Sequence, residues 1–223
     1  MNLRIFETVD ELNRAAARMI VDQVKGGGRT VALSGGSTPQ PIYRLLANDR
    51  ELSQLPVVWV VVDERYVPWD DPQSNAGMIK RTLFANGMSP QHQFLAFRTD
   101  LEPQACVDDF ESQWRALGLE QLDLVTLGMG DDGHTASLFP GTSVLQVDDR
   151  IAAAVFVEKL DMWRLTITKR TIREAKLRAV FATGAKKRPL IEEVRNGAEY
   201  PIAMATSGVE TWWLLDREAA PST

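Results

Sequence analysis

Cysteine is nearly absent from this chain: Cys106 is the only one in 223 residues. No intramolecular disulfide can form, and an oxidising compartment is not indicated. Histidine is almost as scarce. His92 and His134 lie far apart and no Cys/His cluster exists, which argues against a zinc site. A basic excess is missing too, with 25 Lys+Arg against 30 Asp+Glu, a net charge of -5 and a pI near 5.2. Nucleic-acid and anionic-membrane partners need basic surfaces and are therefore not expected. No stretch approaches the roughly 18 apolar residues of a membrane span. The opening MNLRIFETVDELNRAAARMI carries acids and polar residues where a signal sequence would need an apolar run. A cytoplasmic protein is expected, as a monomer or weak homodimer. No Pro/Ser-rich linker, repeat or low-complexity tract interrupts residues 1–223, so one domain is expected.

Three familiar chemical signatures are also missing. There is no Gly-Lys-Ser/Thr Walker loop, no Gly-x-Gly-x-x-Gly fingerprint and no Gly-x-Ser-x-Gly elbow. Mononucleotide and dinucleotide binding of the usual kind, and serine-hydrolase chemistry, lose their support. Cys106 shares a four-residue spacing with Phe110 and Trp114, a core stripe rather than the setting of a nucleophile.

What is present is alternation. Thr30 to Gly36, Pro56 to Glu64 and Leu122 to Gly128 are short, β-branched apolar runs followed by turn residues, and AAAVFVEK, WRLTIT, LRAVFAT and ETWWLLD have the same character. Between them, Asp10 to Lys25, Pro39 to Asn48, Ser74 to Asn86, Glu102 to Leu117, Thr168 to Lys176 and Ala185 to Asn196 carry helical spacing. Continuous rather than alternating apolar strands suit a parallel sheet covered on both faces. The expected fold is α/β: a single-domain, Rossmann-like, mostly parallel sheet with helices on both faces. The stretch Arg150 to Thr168 is expected to leave it as a small antiparallel excursion.

Ligands of such sheets bind beyond the carboxyl ends of the strands, so the residues following each strand are the informative ones. After Leu33 come Ser34, Gly35, Gly36, Ser37, Thr38 and Pro39. Glycines allow close backbone approach, Ser37 or Thr38 can cap the next helix, and amides at a helix start favour an anion such as phosphate. After Val62 comes the charged triplet Asp63-Glu64-Arg65, equally consistent with a ligand edge and with a solvated loop. After Leu127 comes GMGDDGHTASLFPG. Gly128, Gly130 and Gly133 permit tight turns, and Asp132 can hold one ring nitrogen of His134, the arrangement of a histidine general base. Thr135 and Ser137 are placed to cap a following helical turn. Arg164 opens an apolar strand, and Lys186-Lys187 follow Gly184, where cations oppose a helix dipole unless an anion offsets them.

In this order, LSGGSTP (Leu33 to Pro39), DERYVP (Asp63 to Pro68) with SNAGMIK (Ser74 to Lys80), LGMGDDGHTASLFPG (Leu127 to Gly141), and RLTIT with TGAKK (Arg164 to Thr168, Thr183 to Lys187) resemble the glucosamine-6-phosphate isomerase/6-phosphogluconolactonase family, and within it the lactonases. The resemblance spans nearly the whole chain. It implies a sugar-phosphate isomerase/deaminase-like fold, no cofactor and no metal. It also implies hydrolysis of 6-phospho-D-glucono-1,5-lactone to 6-phosphogluconate, the second step of the oxidative pentose phosphate pathway. The catalytic residues would be His134, Asp132 and Arg65, with either Arg65 or amides of the Gly128 to Gly133 loop meeting the oxyanion. Gly35, Gly36, Ser37, Thr38, Asp63, Gly128, Gly130, Arg164 and Lys187 would bind substrate and its phosphate, Lys187 rather than Lys186 matching the family's Gly-x-x-Lys spacing. One departure stands out: family members often carry prolines before the strand arginine, where this chain has Asp161-Met162-Trp163. Two other readings compete, a sugar-phosphate deaminase or isomerase on the same fold and a non-catalytic sugar-phosphate sensor. The resemblance implies, for deaminases, a glutamate five residues after the histidine and a tyrosine at position 65. This chain has Phe139 and Arg65.

Overall fold

Most of the apolar runs become buried parallel strands, and the helical patterns become the helices that cover them. The computed structural model describes residues 1–222. In chain order they form β1 (Asn2–Phe6), α1 (Val9–Lys25), β2 (Thr30–Leu33), α2 (Gln40–Ala47), β3 (Val57–Val61), β4 (Asp63–Arg65), α3 (Asn75–Thr82) and β5 (His92–Leu95). They continue with α4 (Pro103–Ala116), β6 (Leu124–Leu127), β7 (Ala152–Val157), β8 (Met162–Ile167), α5 (Lys169–Glu174), β9 (Leu177–Ala182), α6 (Arg188–Arg195), α7 (Pro201–Thr206) and β10 (Thr211–Asp216). Among these, no helix is long and apolar enough to cross a membrane.

Seven strands build one sheet in the order β1-β10-β9-β6-β2-β3-β5, and every neighbouring pair is parallel. Side chains alternate across it. Val31, Leu33, Trp59 and Val61 pack under α1, α2 and α3, while Ala32, Val60, Val125 and Leu127 join the core under α4 to α7. Successive strands travel outward in one direction from β2 through β3 to β5, and in the other from β6 through β9 to β10. The reversal lies between β2 and β6, where the loops leaving two adjacent strands part and open a crevice. Ser34 N–H donates to Thr126 Oγ1 across this junction at 3.0 Å, tying the two strand ends together.

The antiparallel excursion is present and larger than expected: β7 and β8 form a hairpin, and β4 pairs with β8 to complete a three-stranded sheet. The apolar run Pro56 to Glu64 is therefore two strands. Val62 is the joint, its N–H donating to Leu33 O and its carbonyl accepting from Ile167 N–H. Past it the chain changes sheets, which the sequence, uniformly β-like through this point, does not signal. The hairpin turn ends at Asp161, held left-handed at φ 46. A proline, fixed near φ −65°, cannot occupy that position, so the turn has its own shape.

Three elements escape pattern reading. β1 is an edge strand with mostly exposed side chains, β5 has only four residues, and α7 is six residues opened by a proline. Cys106 is buried in the α4 stripe as expected, its Sγ donating to Arg98 O and Leu101 O, and burial pushes its thiol up to about 11. It is not nucleophilic at neutral pH.

Candidate active site

The loop leaving β2 turns at Gly36, whose φ of +92 suits glycine. Gly35 is required for a different reason. A Cβ there would lie 2.0 Å from the Asn75 side-chain amide, which bonds the Asp63 carbonyl at 2.7 Å and its carboxylate at 3.2 Å. Its smallness serves protein packing rather than ligand approach. Ser37 and Thr38 do not cap α2, against expectation. Its N-cap is Pro39, with no side-chain cap bond. Their hydroxyls are left to the crevice.

The charged triplet is neither a ligand edge throughout nor a solvated loop, because β4 sorts it by face. Glu64 is fully buried and turned to α3, accepting from Asn75 N–H and Ala76 N–H at 2.7 Å each and from Ser74 Oγ at 3.0 Å. Burial raises its pKa, opposed by these donors and the Arg65 amide. It takes up the first two amides of α3, beside the N-cap Ser74, whose Oγ accepts from Gly77 N–H at 3.0 Å. Asp63 and Arg65 face the crevice instead. Asp63 is also buried, with Oδ2 accepting from Ser137 Oγ at 2.7 Å. With both oxygens engaged by Asn75 and Ser137, it braces the wall and has little left for an anionic ligand.

Arg65 and Arg164 are direct cross-strand partners on β4 and β8. Arg65 Nη1 donates to Gln73 O at 2.6 Å, but both Nε atoms are buried with no acceptor. Burial, and then the charge of Arg65, press the Arg164 guanidinium below its ordinary value. Like charges opposite each other destabilise a sheet. An anion between them would satisfy both forks at once.

The loop after β6 delivers His134. Its Nδ1 donates to Asp132 Oδ1 at 2.5 Å, and its backbone N–H reaches the same oxygen at 3.2 Å. Asp132 is held well below the usual carboxylate range: burial opposes its charge, but the bonds from Lys159 and His134 outweigh that. An ionised Asp132 fixes the proton on Nδ1 and leaves Nε2 as the basic nitrogen. The ring is half-buried and stacks on Phe139, centroids 4.2 Å apart. Gly130 makes room for it, since a Cβ there would sit 2.1 Å from His134 Cε1 and Nδ1. At Gly128 a Cβ would meet only open space. Thr135 and Ser137 cap no helical turn, contrary to expectation. Thr135 Oγ1 donates to Gly128 O and Ser137 Oγ to Asp63, pinning the loop onto its own base and onto β4.

All the residues expected to be catalytic or to bind substrate, except Asp132, line one cleft of about 510 Å³, a size ordinary for a small-molecule site. Asp132 stands behind the histidine. Lys187, in the turn Ala185–Lys187 after β9, lines the cleft and pairs with Asp131, while Lys186 is exposed and outside it. Two residues were not legible in sequence. Asn75 shapes the wall through Gly35 and Asp63. Lys159, at the hairpin tip, bonds Asp132 Oδ2; no spacing rule marks a lysine in a turn. A further consequence concerns Gly130→Ala. The added methyl would push the His134 side chain aside without meeting backbone, so Tm is expected to stay close to wild type and kcat to fall about 10²-fold, the effect of an ångström-scale misplacement. Thermal melts and steady-state kinetics on one preparation check both halves.

A doubly wound sheet whose switch-point crevice holds a carboxylate-bonded histidine and a cluster of cationic side chains defines an α/β protein with a cleft suited to a small anionic molecule. The chain matches the family described as glucosamine-6-phosphate isomerases/6-phosphogluconolactonase over residues 6–213, and it belongs to that family. It is 36% identical to a 6-phosphogluconolactonase of Nostoc sp., covering 88% of this chain and 85% of that one. A solved 6-phosphogluconolactonase from Leishmania guyanensis, 25% identical, superposes with a TM-score of 0.86 over 98% of this chain and 97% of its own. A monomeric glucosamine-6-phosphate deaminase, at 23% identity and a TM-score of 0.82 over 98% of each chain, shares the fold.

Proposed function

We propose that this protein hydrolyses 6-phospho-D-glucono-1,5-lactone to 6-phospho-D-gluconate, without a cofactor. The observation that carries the reading is one cleft holding both a histidine with a carboxylate-fixed tautomer and two facing, incompletely paired arginines. A lactone is an activated ester, so no covalent nucleophile is needed. Water attacks C1 as His134 Nε2 takes one of its protons. The tetrahedral intermediate then collapses, the C1–ring-oxygen bond breaks, and the imidazolium returns the proton to the departing oxygen. Arg164 and Arg65, facing each other, suit the phosphate dianion, joined by Lys187 and the Gly36-Ser37-Thr38 loop. That arrangement draws Arg65 toward the phosphate and leaves amides of the Gly128 to Gly133 loop to meet the oxyanion.

Phe139 bears on the deaminase alternative. It is buried and stacked on the His134 ring, so the position offers no carboxylate for ring opening. The test is lactone hydrolysis corrected for spontaneous opening, run beside an ammonia assay on glucosamine 6-phosphate. Hydrolysis without ammonia is expected. Ammonia release, or no acceleration of lactone opening, overturns the reading.

A further inference from the structure

Lys159 is assigned no part in the chemistry above, yet it contacts both Asp132 and Phe139, the two side chains that flank the His134 ring. The turn after β7, Glu158–Leu160 closed by left-handed Asp161, folds it back over the cleft. Its Nζ bonds Asp132 Oδ2, the oxygen His134 does not use. The same Nζ lies 4.8 Å from the centre of the Phe139 ring, whose stacking partner is His134. Lysine, carboxylate, imidazole and phenyl thus form a closed circuit of contacts, joining the hairpin to the loop after β6 on both sides of the working ring.

We propose that Lys159 is a positioning residue of the His134–Asp132 dyad, holding Asp132 Oδ1 on Nδ1 and dividing the carboxylate's charge between two cations. An exposed lysine–carboxylate pair alone is worth about 0–1 kcal/mol and would matter little. Here the geometry matters more than the energy. Asp132 sits in a glycine-rich loop, partly exposed, and Lys159 is the anchor of its second oxygen. Without it, Oδ1 keeps its bonds from the His134 amide and Nδ1, but the second oxygen swings free and the aim of the ring is held less firmly.

The second consequence is electrostatic. The imidazolium formed during turnover is favoured by Asp132 and opposed by Lys159. The other charges around the ring are accounted for. Asp131 is paired with Lys187 from the turn after β9, and Asp63 on β4 stands beside Arg65 and Arg164 across the cleft. Glu158 is exposed on the hairpin, and Glu193 of α6 is bonded by the hydroxyl of Tyr200, whose ring rests against Gly133. Removing Lys159 leaves the carboxylate undivided, so His134 holds its proton to higher pH.

The proposal rests on the lactonase reading for its kinetics but not for its titration. In Lys159→Ala, kcat is expected to fall about tenfold, a part of the roughly 10²–10⁴ that a positioned acid–base group supplies, with KM little changed and the acidic limb of the pH–rate profile moved to higher pH. Lys159→Arg restores most of the rate. A raised KM at unchanged kcat would make Lys159 a substrate contact and overturn the proposal, as would an unmoved acidic limb. Imidazole NMR supplies the independent arm, because the chain has two histidines and His92 serves as internal reference. The His134 resonance in Lys159→Ala is expected to titrate at higher pH than in wild type, with His92 unmoved. An identical His134 titration defeats the proposal even if lactone hydrolysis is confirmed. A moved titration in a protein that hydrolyses no lactone upholds it while the functional reading falls.

Discussion

Replacing His134 with alanine is expected to lower kcat by about 10²–10⁴, the usual contribution of a positioned general acid–base group, while KM and inhibition by inorganic phosphate stay near wild type. The ring is bonded to Asp132 and stacked on Phe139, with no hydrogen bond to an arginine, so its loss is expected to remove proton transfer and leave the facing arginines in place. The variant's pH–rate profile should also lose its acidic limb, because the group whose protonation ends activity is gone. Unchanged turnover would remove His134 from the chemistry. A raised KM with preserved kcat would move it to substrate binding.

Arg164→Ala should act in the opposite way. A charge-assisted bond is worth about 1.5–3 kcal/mol, so KM is expected to rise by about 10–100-fold with a much smaller change in kcat. Inhibition by phosphate should weaken in parallel. If phosphate inhibits the variant as strongly as wild type, Arg164 does not hold the phosphate. Stability adds a second readout. Arg164 is half-buried opposite Arg65 with its Nε unpaired, so its removal relieves a like-charge contact. The unliganded variant should melt no lower than wild type, and saturating phosphate should protect it less. A large loss of Tm would show that Arg164 serves the fold instead.

How much of this was legible in the residues follows from which signals are local. Parallel strands advertise themselves, since burial on both faces forces apolar runs such as VVWVV and LVTL, and the glycine-rich loop announces His134 because few structural histidines keep such company. What lay hidden depends on contacts distant in the chain. The change of sheet at Val62 is set by pairing with β8, more than ninety residues onward. Glu64 and Asp63, adjacent in sequence, separate only because a strand presents alternate faces. Ser37 and Thr38 looked like caps because a helix follows them, but Pro39 takes the cap position itself. Lys159 could not be singled out, since its significance comes from Asp132 folding beneath it.

The break at Val62 has a mechanical consequence. Both arginines ride on the small sheet, whereas His134, the Ser37-Thr38 loop and Lys187 hang from the large one. The spacing between His134 and the two facing arginines is therefore a property of how two separate slabs are bolted together. One such bolt is Ser137, whose hydroxyl grips Asp63 of β4 and whose amide reaches Thr166 of β8 at 3.3 Å. A side chain outside the cleft lining thus helps set the length of molecule the cleft can take.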